Sequence, residues 1–115
     1  MKKLVLTLII FVSFNSWADF LAGERLFDLY RSYQRVESKK YNEVDYRKAY
    51  EFMGYVTGFM DGLDGKAFCA GNTVTRGHIA DVVSQYMDTH PELKDKSSSQ
   101  IVYQAFSEAF PCKTK

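Results

Sequence analysis

The stretch Val44–Leu63, VDYRKAYEFMGYVTGFMDGL, decides the fold. Tyr46, Ala49, Tyr50, Met53, Val56, Phe59, Met60 and Leu63 recur at intervals of three and four, and they put apolar rows on more than one side. That spacing predicts a long central helix. Within it Gly54, Gly58 and Gly62 stand four residues apart and stack three bare patches of backbone along one face. Each glycine costs about 1 kcal/mol against alanine inside a helix, so three in register need compensation. Close packing of another helix of the same chain supplies it, and so does a second copy across a symmetric dimer seam. The membrane form of such a motif does not apply, because Thr57, Asp61 and Asp64 interrupt the apolar run.

Helical patterning continues on both sides of this stretch, and no segment alternates as a strand does. From about Leu21 to Val36, Leu26, Leu29, Tyr30 and Tyr33 form one stripe while Glu24, Asp28, Arg31 and Arg35 fall elsewhere. This predicts an amphipathic first helix, followed by a polar loop from Glu37 to Asn42. Beyond the central helix, Gly65, Gly71 and Asn72 mark a loop from about Asp64 to Val74 that contains Cys69. Thr75 is the N-cap expected for a third helix with Ile79, Val82, Val83, Tyr86 and Met87 on its apolar side. That helix should stop near Asp88, since His90 precedes Pro91 and is pushed out of helical dihedrals. Pro91 opens a short turn through Leu93. Ser97 and Gln100 have capping-box spacing, and Ile101, Val102, Ala105, Phe106, Ala109 and Phe110 carry a last helix to Pro111. The expected fold class is all-α, a small bundle of four main helices.

Met1 to Ala18 reads as a secretory signal peptide. Lys2 and Lys3 form its positive end, Leu4 to Phe14 its apolar stretch, and Ser16 and Ala18 its small-residue cleavage positions. The apolar stretch is shorter than the ~20 residues that cross a bilayer. The mature chain then starts at Asp19 as one domain, residues 19–115, in the oxidising periplasm and without a membrane anchor. Fifteen basic residues less the two of the leader leave thirteen against fourteen acidic ones. A balance so even argues against nucleic acid, which needs a basic excess on one face. Eight Tyr in so short a chain put some of them on a recognition surface, because Tyr gives large contact area at low entropic cost. Cys69 and Cys112 are the only cysteines, and the compartment lets them pair. A bridge would close a loop of about forty residues and contribute roughly 4 kcal/mol. A reactive or metal-binding thiol is the competing reading, although neither Cys lies in a CxxC or beside a His at ligand spacing.

Candidates for chemistry are sparse. His78 and Asp81 share a helix face, His90 ends a helix, and Asp61 and Asp64 sit three apart. None joins a wider constellation, and there is no G-x-S-x-G, P-loop or HExxH. The expectation is a binding protein with no catalytic residues, no metal and no cofactor.

The second half of the chain carries a more specific pattern: GYVTGFMDG from Gly54, then Cys69, TVTRGHIADVVSQYM from Thr73, HPE at His90, and QAFSEAFPC ending at Cys112. In order and spacing it resembles the Rap/Tai immunity proteins of type VI secretion systems. The resemblance implies a small, helical, periplasmic and often dimeric protein, with the bridge on Cys69 and Cys112 closing the bundle. It implies that the protein binds a peptidoglycan amidase delivered by neighbouring cells and occludes its cleft. On that reading the loop from Asp64 to Val74 is the candidate projection, with Lys66 a charge, Phe68 an apolar anchor and Asn72 a hydrogen-bonding group; a solvated connector is the other reading of the same loop. Many members of that family carry a second cysteine pair, near what are here Tyr30 and Met53. Its absence implies that the first helix is held by packing of Leu26, Leu29, Tyr30 and Tyr33 alone. The alternative is a periplasmic acid-stress chaperone similar to the small HdeA type, which loosens at low pH. A third is a structural subunit of an envelope complex.

Overall fold

The structure, a computed structural model, describes residues 20–113. The leader expected at Met1 to Ala18 lies outside the described residues. Four α-helices follow in order: α1 (Gly23–Glu37), α2 (Glu43–Leu63), α3 (Arg76–Thr89) and α4 (Ser98–Ala109). A 3-10 turn, Pro91–Asp95, joins the last two. No strand occurs among the described residues, so the fold is the all-α bundle of four main helices that the periodicity predicts.

Three of the four α-helices, α2, α3 and α4, start where a side chain satisfies free amides of the first turn. Thr75 Oγ1 accepts from the His78 amide at 3.1 Å, and Ser97 Oγ accepts from the Gln100 amide at 3.3 Å while the Gln100 side chain accepts from the Ser97 amide. Both caps fall on the residues expected. A second capping box, on α2, adds to the sequence reading: the Asn42 side chain accepts from the Asp45 amide at 2.9 Å and the Asp45 carboxylate from the Asn42 amide at 3.3 Å. Tyr41 and Tyr46 stack across it with ring centroids 5.9 Å apart. These are the N′ and N4 positions of a hydrophobic staple, which fixes how the chain enters the helix.

The core is built from one stripe of each helix. Leu26, Leu29, Tyr30 and Tyr33 face it from α1 as expected, joined by Phe27. From α2 the stripe is Ala49, Phe52, Val56 and Met60. This corrects the sequence reading in two places. Phe52 is fully buried, whereas Tyr46 and Tyr50 keep 44% and 60% of their surface in water. The tyrosines match the apolar spacing, but a phenol can lay its ring on the surface and leave its hydroxyl solvated. Ile79, Ala80, Val83 and Met87 of α3 and Ile101, Val102, Ala105 and Phe106 of α4 complete the core.

The first helix is held by more than the packing expected of it. At its start the Gly23 amide donates to Lys96 O at 2.9 Å, and Ser98 donates from its amide to Leu21 O and from its hydroxyl to Ala22 O. A Cβ on Gly23 would lie 2.2 Å from the Lys96 carbonyl oxygen, so this approach requires glycine. At its other end Ser32 and Arg35 both donate to Asp45 Oδ1, the Arg35 Nη2 at 2.6 Å. Along its flank the Tyr30 hydroxyl donates to Asp88 and the Tyr33 hydroxyl to Asp81 at 3.0 Å. These bonds tie α1 to α2, α3 and the start of α4, where the sequence suggested apolar contact alone.

Candidate partner-binding surfaces

The first part of the loop after α2, from Asp64 to Ala70, is pinned. Gly65 takes a positive φ of 80° and donates to Phe68 O at 2.7 Å, and Asp64 Oδ1 accepts from the Ala70 amide at 2.8 Å. Cys69 is bonded to Cys112 with Cα atoms 4.9 Å apart, and its amide donates to Phe110 O at 2.8 Å. The bridge therefore joins this loop to the segment that follows α4. Lys66 and Asn72 are exposed on it. Phe68 is not: it is fully buried, with its ring 5.1 Å from that of Phe106 and 6.4 Å from that of Phe59. Burying a side chain of this size contributes about 1.5–3 kcal/mol to the fold. Phe68 is thus a core residue and not the anchor that the sequence reading assigned.

The glycine row also departs from one of its two readings. At Gly54, Gly58 and Gly62 an added Cβ would meet no atom within 4 Å among the described residues. No helix of the described residues packs closely there, so packing among them does not explain the row. All three are exposed.

A third surface is visible only in the fold. The end of α1, the first half of α2 and the start of α3 enclose an open groove of about 270 Å³. Val36, Ala49 and Met53 supply apolar lining, Tyr46 and Tyr50 an aromatic side, and Glu37 and Asp81 the charge. Tyr46 and Tyr50 touch edge to face at 4.8 Å, and their hydroxyls are 3.0 Å apart. That hydrogen bond, and the neighbouring phenols, raise the Tyr46 pKa above the ordinary tyrosine value. Burial first, and then the hydrogen bond to Asp81, raise that of Tyr33, so its proton stays on the phenol and Asp81 keeps its donor. Residues from Tyr33 to Asp81 meet here. The tyrosine count hinted at such a surface, but no local spacing could place it.

The remaining candidates for chemistry are separated or occupied. Asp81 takes the Tyr33 hydroxyl while His78, on the same helix, lies 6.0 Å from the Phe110 ring. His90 stacks on Tyr86 and places Nδ1 2.8 Å from Tyr86 O, where it donates to the end of α3. Among the described residues no three His, Cys, Asp or Glu side chains gather as a metal site, and no helix is long and apolar enough to cross a membrane.

Fold and surfaces together define a small helical domain, closed by a disulfide, whose exposed features suit it to contact another molecule. The chain belongs to the Rap1a immunity proteins, whose family model matches residues 23–112. That match spans all four helices and both cysteines. No curated protein and no solved structure matches the chain.

Proposed function

We propose that this protein acts in the periplasm as the antidote to a type VI secreted peptidoglycan amidase, binding the toxin and covering its active-site cleft without performing chemistry itself. The observation that carries this reading is the family match over residues 23–112. The leader-like N-terminus and the Cys69–Cys112 bridge support an oxidising compartment. A stiff, bridged bundle suits inhibition, because a surface already ordered loses little entropy when it docks. Lys66 and Asn72, exposed on the pinned loop, remain the contacts this reading assigns to that segment. It also includes a homodimer, with the row of Gly54, Gly58 and Gly62 as the face available to a second copy.

Tagged mature protein, used to capture secreted proteins at neutral pH, should retain one cell-wall hydrolase with nanomolar strength. Any hydrolase encoded beside this gene is the first to try. Capture of many unrelated clients, and only in acid, would favour the HdeA-like chaperone instead. Co-purification with several envelope components would mark a structural subunit.

A further inference from the structure

We infer that the groove between α1, α2 and α3 is a socket for an arginine side chain presented by the protein partner. Its size sets the first limit. At about 270 Å³ it falls below the ~300 Å³ at which pockets for whole small molecules begin, but it admits one long side chain. Its lining sets the second. Val36, Ala49 and Met53 suit an alkyl stem, the faces of Tyr46 and Tyr50 suit a cation, and Glu37 and Asp81 supply the opposite charge. No basic residue lines the groove, and neither carboxylate forms an ion pair among the described residues. The trough that continues from it past Asp81 to Asp88 has no basic lining either.

Arginine fits better than lysine. A planar guanidinium can lie on a ring while its fork of N–H groups reaches two carboxylates, which a point-like ammonium does less well. The socket is also ordered in advance: the Tyr33 hydroxyl holds Asp81, and the bond between the Tyr46 and Tyr50 hydroxyls holds the aromatic side. Tyr46 already has a structural task in the staple with Tyr41. Tyr50 takes no part in that staple, bonding only to Tyr46, and it keeps 60% of its surface in water. A rigid, exposed Tyr beside a charged rim is the kind of residue on which interfaces concentrate their energy, with Arg as a frequent partner.

That the arginine belongs to a toxin rests on the immunity reading; the chemistry of the socket does not. The test therefore has two arms. In the first, isotope-labelled mature protein is titrated with N-acetyl-arginine-amide and with its uncharged isostere N-acetyl-citrulline-amide, followed by amide chemical shifts. Saturable shifts should be confined to the surroundings of Glu37, Tyr46, Tyr50, Gly77 and Asp81. Citrulline should bind about tenfold more weakly, and Tyr50→Ala or Glu37→Gln should each weaken arginine by about threefold or more. No saturable shift, an equal response to citrulline, or shifts elsewhere would overturn the socket. In the second arm the captured hydrolase is offered Glu37→Lys, which should dissociate at least about tenfold faster than the parent. Unchanged dissociation overturns the socket and leaves the immunity reading intact. If no hydrolase is captured at all, the immunity reading fails and the titration alone decides. Burial of Tyr50 and Glu37 between two copies of this chain also counts against it.

Discussion

Asp45 joins three local demands in a single side chain. It closes the capping box of α2, accepts from Ser32 and pairs with Arg35 of α1, all while nearly shielded from water. The Arg35 hydrogen bonds are the largest cause that holds its pKa down to about 2, with the Asn42 amide and the Ser32 hydroxyl adding to them. An aspartate in the unfolded chain titrates near 3.9, about where neutralisation begins to favour unfolding. Because the folded value is depressed, the stability from this group is complete above about pH 4 and is lost as pH falls through about 2. Urea midpoints measured from pH 7 to 2 should show wild type well above Asp45→Asn at neutrality, with the two curves converging at the acid end. A constant gap across that range would mean the carboxylate charge is not what joins α1 to α2. Gly23 is the second position where one atom decides. Its missing Cβ lets the α1 amide reach Lys96 O, and a methyl there meets backbone that cannot step aside cheaply. Gly23→Ala should cost about 1–3 kcal/mol in chemical unfolding, despite the better helix propensity of alanine.

Among the elements, the disulfide does what no helix contact does, because it links the loop after α2 to the segment after α4 across 43 residues of sequence. Cross-linking a loop of that length stabilises by roughly 4 kcal/mol, and 1 kcal/mol moves the melting temperature of so small a domain by about 4–8 °C. Reduction, or a double Cys69→Ser and Cys112→Ser variant, should therefore lower the melting temperature by about 15–30 °C. Equal melting with and without reductant would remove the bridge from the account. The helices, their caps at Thr75 and Ser97, the break before Pro91 and this bridge were all legible, because each depends on short-range spacing or on having only two cysteines to pair. Asn42 with Asp45 has the same three-residue signal, masked because Asn42 also reads as the end of a polar loop. Phe68 was misplaced for a different reason. It lies in a loop with no periodicity to say which way a ring turns, and only the approach of Phe59 and Phe106 decides it. The groove was out of reach altogether, since three helices build it from residues as far apart as Tyr33 and Asp81.

For the whole molecule, the question is what offsets the glycine row, since nothing among the described residues covers it. Gly54 to Gly62 runs about 12 Å along the helix axis, long enough for a second helix to lie close against bare backbone over two turns. A second copy meeting this face about a two-fold axis would give the three residues a use that the isolated protomer does not. Two measurements with opposite signs then follow from one variant. In Gly54→Ala, Gly58→Ala and Gly62→Ala together, the open space admits every methyl, so the dilute protomer should gain about 2–3 kcal/mol against urea from helix propensity. The same methyls hold two facing helices apart, so on the proposed dimer the variant should elute as a monomer at concentrations where the parent should elute as a dimer. A gain in stability with the oligomeric state unchanged places any dimer contact elsewhere, whereas a loss of stability in the dilute protomer means that the face is covered within a single chain.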